Sequence, residues 1–246
     1  MRSLDRLLDK SRKIIRGESF PQMREWPIAP NILLRIRSKE GNQDAQLTLQ
    51  ISGPDGTRSV DMSVCTKPPA KFELHDRFAC DPQKDVVSFP PDALKDPRNI
   101  FSILHELGHV TTWHQVHAKD PKLAQWAYDI SEKKRSCTKE EMEVLLEFER
   151  IAWAEAIHIA RKLKEKEGIH LFTLFRSAED LMGWLRATGL RTYEHNLEQA
   201  GATAYTKCDM VMRWWASEQS GASLLTIDDL ATIDFWMQVP KAPDKQ

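Results

Sequence analysis

Alternating apolar and polar residues between about positions 30 and 90 predict a series of short β-strands. A two-residue period places the apolar side chains on one face of a strand. This period occurs at residues 32–37, 46–51, 60–64 and 85–89. A Gly-Pro-Asp-Gly sequence at 53–56 predicts a turn between two of the strands. Because prolines interrupt the region at 68, 69, 90 and 91, we expect the strands to be short or to lie at sheet edges.

From about residue 96 onward the apolar residues recur at helical spacing instead. Asp96 and Pro97 predict the start of a helix over 97–117, since Asp caps helices and Pro favours the first helical position. A capping box at 138–141 opens a long helix over 139–167, and Gly168 follows it as a stop. Other helices are expected at 121–132, 172–187, 194–219 and 226–237.

These patterns predict an α+β fold in three parts. An amphipathic helix is expected within 1–20, followed by a core over 30–170 and a C-terminal helical subdomain over 171–240. Within the core, the strands occupy 30–90 and the two long helices follow them. The sequence contains no uncharged apolar segment long enough to span a bilayer, so no membrane-spanning helix is expected.

Composition and charge narrow the possible partners. The chain has 246 residues, 41% of them hydrophobic and 29% charged, with a formal net charge of −1. This balance gives no electrostatic reason to expect direct binding to nucleic acid or to an anionic membrane. The four cysteines form no CxxC pair, and the charged first residues lack the apolar segment of a signal peptide. We therefore expect a cytoplasmic protein.

The clearest chemical signal is the sequence His-Glu-Leu-Gly-His at 105–109, the HExxH pattern of zinc metallopeptidases. Two histidines four residues apart lie on one face of a helix, about one turn apart, so both imidazoles can bind one Zn²⁺. Glu106 points about 100° away from His105 and is placed to act as general base. Gly108 allows another backbone to approach closely, at a cost of about 1 kcal/mol in helix stability.

A catalytic zinc site needs a third protein ligand. The helix over 139–167 offers Glu149, which shares an apolar face with alanines and leucines, where a carboxylate is costly unless it is paired or metal-bound. Glu155 is the main competitor, and His158 and Glu147 are further alternatives. His114 and His117 follow the motif on the same helix, and His117 lies too far along the axis to share the metal.

The motif followed by a helix with Glu-x-x-Ala resembles the gluzincin-type zincins, and within them the ImmA/IrrE-like metallopeptidases. In that group a Glu-x-x-Ala-Asn motif supplies the third ligand, and Glu149-Arg-Ile-Ala152-Trp153 is the equivalent run here. The resemblance covers about residues 86–165 and implies Glu149 as a ligand. Trp153 stands where the family commonly has Asn. The resemblance also implies that an edge strand before the active helix, at 85–89, pairs with an extended substrate.

The sequence therefore predicts a zinc-dependent peptidase that hydrolyses protein or peptide substrates. His105, His109 and Glu149 hold the metal and Glu106 is the general base. The alternative is a catalytically inactive, zinc-stabilised regulatory or interaction module, against which the presence of Glu106 argues. The oxyanion-stabilising group is left open among Tyr193, His195 and Tyr205. The tryptophans, Trp153 among them, are expected to belong to the helical core.

Overall fold

The structure, a computed structural model, describes residues 23–38, 44–54, 56–131 and 139–185. This part of the chain forms one mixed sheet followed by helices, which confirms the expected α+β class. The helix expected within 1–20 and those expected at 194–219 and 226–237 lie outside the described residues. None of the described helices is both long enough and apolar enough to cross a bilayer.

The sheet contains seven strands in the described part of the chain. In space six of them follow the order β1-β2-β3-β5-β7-β6, and β4 also pairs with β3. Neighbours are antiparallel except for β5 and β7, which run parallel. The strands are β1 Met23–Ala29, β2 Ile32–Ser38, β3 Asp44–Gly53, β4 Gly56–Asp61, β5 Lys71–Leu74, β6 Ala79–Asp81 and β7 Val86–Phe89.

The alternating pattern of the sequence becomes one buried face of this sheet. Leu34 pairs with Leu49, and Ile36 pairs with Leu47, so four buried apolar side chains lie side by side across β2 and β3. The pairing of Gly53 with Gly56 confirms the expected turn, and the positive φ of 105° at Gly56 is a conformation that favours glycine.

Two of the strand predictions are wrong in part. The pattern at 60–64 leaves the sheet after Asp61, because the Asp61 carboxylate accepts a hydrogen bond from Ser63 N and caps a 3-10 helix at Met62–Cys65. The strand at 85–89 exists, but it is not an edge strand. It lies between β5 and β6, so both of its hydrogen-bonding edges are occupied.

The described helices are α1 Ile100–Lys119, α2 Pro121–Ser131, α3 Lys139–Glu167 and α4 Ala178–Leu185. Asp96 accepts a hydrogen bond from Arg98 N as the sequence predicts, although a 3-10 turn at Pro97–Asn99 precedes α1. Gly168, with φ of 71°, ends α3. Its N–H donates to Lys164 O, which is the hydrogen bond of the αL C-cap motif, and Ile169 N donates to Leu163 O.

Helix α1 is the centre of the packing. It contacts β6 and β7 as well as α3, and all of its buried apolar residues except Val116 belong to the larger of two apolar clusters. That cluster also takes in Phe172, Phe175 and Trp184 from the segment after α3. A smaller apolar cluster forms where α2 meets the end of α1 and the start of α3. Its members are Val116, Leu123, Ala124, Ala127, Ile130, Leu145 and Phe148.

Candidate metal centre

The two histidines of the HExxH motif face each other on α1. His105 Nε2 lies 3.0 Å from His109 Nε2, and the ring centroids are 4.4 Å apart. His105 is buried and His109 is half-buried. The four-residue spacing therefore brings the two Nε2 atoms together beside the helix, as helix geometry predicts.

Helix α3 brings a carboxylate to the same point. Glu149 Oε2 lies 3.1 Å from His105 Nε2, and Glu149 Oε1 lies 3.3 Å from His109 Nε2. Only 9% of Glu149 is exposed. Among the described residues, His105, His109 and Glu149 are the one group of three side chains of metal-binding type close enough together to hold an ion. The structure thus brings together the three side chains that the sequence favoured as candidate ligands.

The close approach of the two helices depends on Gly108. A Cβ atom added there would lie 2.2 Å from the carbonyl oxygen of Ala152 on α3, well inside van der Waals contact. The expectation that Gly108 admits a second backbone is confirmed. Because Ala152 lies one turn after Glu149, this contact sets how far the carboxylate reaches toward the imidazoles.

The charges at the centre stabilise one another. Burial alone would raise the pKa of Glu149, but the charge of His109 and hydrogen bonds from His105 and His109 hold it well below its usual range. Burial would lower the pKa of His109, yet the Glu149 carboxylate raises it to about 9. The buried carboxylate is thus balanced by an imidazolium in the metal-free protein.

Glu106 lies on α1 beside the three clustered side chains but is not one of them. Burial raises the pKa of its carboxyl group above the ordinary value, and the charges of His105 and His109 oppose that rise. In β6, burial raises the pKa of the Cys80 thiol, and the charge of the Glu106 carboxylate raises it further.

The donor atoms fit a zinc ion. Two ligand atoms bound about 2.05 Å from Zn²⁺ at the tetrahedral angle lie about 3.3 Å apart. The separations of 3.0, 3.1 and 3.3 Å among the imidazole nitrogens and carboxylate oxygens are close to this value. Two imidazoles and one carboxylate are also a donor set that zinc takes in catalytic sites.

The structure places the other candidate ligands elsewhere. Glu155 is buried, with 3% exposed, but its Oε1 accepts a hydrogen bond from Gln115 Nε2 at 3.1 Å. His158 is half-buried on α3 and outside the cluster. His117 is exposed and stacks on Trp113. Glu147 has no described side chain, and Tyr193, His195 and Tyr205 lie outside the described residues.

Two contacts near the centre were missed by sequence reasoning. The indole of Trp153 stacks on the imidazole of His105, although the sequence suggested only a core position for it. His114 Nε2 donates to Asp85 Oδ1 at 2.6 Å, which ties the turn between β6 and β7 to α1. The spacing of Trp153 four residues after Glu149 is the one signal that could have placed it on the metal side of α3.

The sheet edge near the candidate metal centre belongs to a different strand from the predicted one. Since β7 is paired on both sides, β6 at Ala79–Asp81 is the last strand of the sheet at this end of the described topology. It contacts α1 directly. Among the described residues, the unpaired sheet edge at this end therefore belongs to β6.

Comparison of the chain with protein-family models, curated proteins and solved structures found no match to any of them.

Proposed function

We propose that the protein is a zinc-dependent peptidase with a zincin-like arrangement of sheet and active-site helix. The observation that carries the proposal is the convergence of His105 Nε2, His109 Nε2 and the Glu149 carboxylate within 3.3 Å, with Glu106 on the same helix beside them. A structural zinc site has no need for that additional buried carboxyl group, whereas a hydrolytic site needs a base.

Zinc at this position would supply a Lewis acid that polarises a peptide carbonyl and lowers the pKa of water toward neutrality. His105, His109 and Glu149 hold the ion. Glu106 accepts the proton of the attacking water at its carboxylate and then delivers it to the leaving amine nitrogen. The raised pKa of Glu106 favours this cycle, because a base that titrates nearer to neutral pH also returns the proton more readily.

We further propose that an extended peptide pairs with the outer edge of β6. Strand addition provides backbone hydrogen bonds whatever the side chains are, and β6 contacts α1, the helix that carries Glu106. Cys65 and Cys80 are free thiols, which agrees with a reducing compartment, and we propose that the peptidase acts in the cytoplasm.

Zinc content and peptide hydrolysis, measured on the same preparations of the 246-residue chain, test the proposal. His109→Ala is expected to lose both zinc and hydrolysis of a mixed peptide library. Glu106→Gln is expected to retain zinc and lose hydrolysis. Glu155→Gln is the matched control, because it removes a buried carboxylate from α3 that does not belong to the cluster, and it is expected to retain both.

Hydrolysis by Glu106→Gln at the wild-type rate would show that Glu106 is not the base. Wild-type protein that binds zinc but cleaves no peptide in the library would favour the zinc-stabilised interaction module instead. Peptides cleaved by the wild type and left intact by Glu106→Gln then identify the preferred substrate sequences.

A further inference from the structure

We infer that Trp153 is a positioning residue of the metal centre, and that its indole fixes the plane of the His105 imidazole by stacking in place of the usual hydrogen bond. This inference rests on the proposed function, since it concerns a ligand of the proposed zinc ion. It assigns a role to the position at which the chain carries Trp where the resembling family commonly has Asn.

The two rings are in close face-to-face contact. Their centroids are 4.1 Å apart and their planes differ by 23°, and both residues are buried. The other stacked His–Trp pair on α1, His117 with Trp113, is 5.6 Å apart at 29° and half-exposed. Stacking of this kind restricts rotation of the imidazole about its χ2 angle, which is the motion that would turn Nε2 away from Glu149.

A metal-binding histidine normally gains its orientation from a hydrogen bond that its other ring nitrogen donates to a carboxylate or carbonyl. His105 Nδ1 is buried, and no described residue accepts or donates a hydrogen bond there. The indole Nε1 of Trp153 is likewise buried without a described partner. The two side chains therefore contact each other through their ring faces and not through a hydrogen bond.

The indole is itself held by other rings. Trp184 meets Trp153 edge-on at 90°, with centroids 6.3 Å apart, and Phe175 meets Trp184 at 5.7 Å. Phe101 on α1 completes the series with a centroid 5.2 Å from that of Phe175. Because Phe101 lies one turn before His105, the rings form a continuous contact that starts and ends on the same helix. Trp153 is thus a fixed surface against which the imidazole rests.

Glu149 and Trp153 also act on His105 from different directions. They lie four residues apart on α3, on one face of that helix. The carboxylate meets the ring at its Nε2 edge and the indole meets its face. One helix therefore supplies a ligand and the surface that orients a second ligand.

The test compares Trp153→Leu, Trp153→Phe and Trp113→Leu in the full chain. Zn²⁺ affinity is measured by competition with a chromophoric chelator, and the geometry of the site by the absorption spectrum of bound Co²⁺. We expect Trp153→Leu to weaken Zn²⁺ binding by about 10- to 100-fold and to alter the Co²⁺ spectrum, as loss of a group that orients a ligand does. Trp153→Phe keeps a ring face and is expected to lose less than about tenfold.

Trp113→Leu is the matched control, since it removes a His–Trp stack on α1 outside the metal centre, and it is expected to leave both measurements unchanged. Metal-free protein gives an independent readout. Stacking on the indole shifts the ring protons of His105 upfield in the NMR spectrum, and Trp153→Leu is expected to remove this shift. The signal is assigned by its absence in His105→Gln.

Unchanged Zn²⁺ affinity and Co²⁺ spectrum in Trp153→Leu would overturn the inference and leave the proposed function intact. Equal losses in Trp153→Leu and Trp153→Phe would overturn it too, since the ring face would then not matter. Wild-type protein that binds no zinc would overturn the proposed function and the inference together. If Trp153→Leu does not fold, a Co²⁺ spectrum that changes in Trp153→Phe overturns the inference, and one that is retained supports it.

Discussion

Replacement of Gly108 by alanine is the most direct test of how the two helices form the centre. In most helix interiors this change stabilises a protein by about 1 kcal/mol, because alanine is the better helix former. Here the new Cβ atom would lie 2.2 Å from Ala152 O, 2.9 Å from Ala152 C and 3.0 Å from Ala152 Cα. These are backbone atoms of α3, so no side chain can move aside to relieve the overlap.

The size of the effect follows from these distances. Ordinary van der Waals contact begins near 3.4 Å, so α3 must move by about 1.2 Å from α1 at this point. Overpacking of a buried contact costs about 1–3 kcal/mol, and the upper value applies because two backbones must separate. After the gain of about 1 kcal/mol in helix propensity, Gly108→Ala is expected to lower the free energy of unfolding by about 2 kcal/mol.

The functional effect is expected to exceed the effect on stability. Glu149 lies one turn from Ala152 and would move with it, while both imidazoles stay on α1. A displacement of about 1 Å among catalytic groups can cost about 100-fold in rate. We therefore expect weaker zinc binding and a loss of peptide hydrolysis of about that size, in protein that remains folded.

Urea unfolding, zinc titration and the peptide-library assay measure the three effects. Gly183→Ala on α4 is the matched control, because Gly183 is exposed and a Cβ there meets no atom within 4 Å. It is expected to be up to about 1 kcal/mol more stable than wild type. If Gly108→Ala shows the same gain in stability and binds zinc like wild type, then α1 and α3 are not in the contact described.

Four further predictions concern the candidate ligands and the turn between β6 and β7. Glu149→Ala is expected to abolish stoichiometric zinc binding while Glu155→Gln retains it, and equal zinc content in the two variants would refute the choice of third ligand. Because the pKa of His109 is raised to about 9 and a zinc ligand must be neutral, zinc binding at pH 7 is expected to release about one proton, measurable by calorimetry in buffers of different ionisation enthalpy. Because the pKa of His109 is raised and that of Glu149 is lowered, this pair stabilises the metal-free fold fully between pH 4.5 and pH 6.5, and the His109 contribution is lost as the pH rises through about 9. A metal-free protein whose urea stability does not fall between pH 6.5 and about 9 would contradict this. Asp85 has a φ of 58°, so Asp85→Ala is expected to be about 1–2 kcal/mol less stable than Asp85→Gly, although both lose the contact to His114, and equal urea midpoints would refute the strained turn.

Local sequence patterns predict the parts of this structure that depend on one element at a time. The positions of α1 and α3 follow from Asp96, Gly168 and the apolar period, because caps and amphipathic spacing act within a few residues. The meeting of His105 and His109 follows from helix geometry alone. The sequence favoured Glu149 as the third candidate ligand, because an unpaired carboxylate on an apolar helix face is costly.

Features that depend on distant parts of the chain were not predictable in this way. The two glutamates of α3 differ in their partners on α1, since Glu149 meets the two imidazoles and Glu155 accepts a hydrogen bond from Gln115. Strand β6 has only three residues, too few to show a period, yet it occupies the edge that the sequence assigned to β7. The Trp153–His105 stack likewise joins positions 48 residues apart, and no local pattern records such a pairing.

The buried apolar residues form two clusters, and this division affects which part of the described structure unfolds locally first. Val110 belongs to the larger cluster and Val116 to the smaller, while on α3 Phe148 belongs to the smaller and Trp153 to the larger. Glu149 therefore lies between two regions of unequal size, whereas His109, between Leu107 and Val110, lies within the larger one. Since regions with fewer apolar contacts open at lower free energy, amide hydrogens of α2 should exchange with solvent before those of the sheet. Local opening of the smaller region would then expose the Glu149 side of the candidate metal centre, while the larger region keeps the two histidines in place.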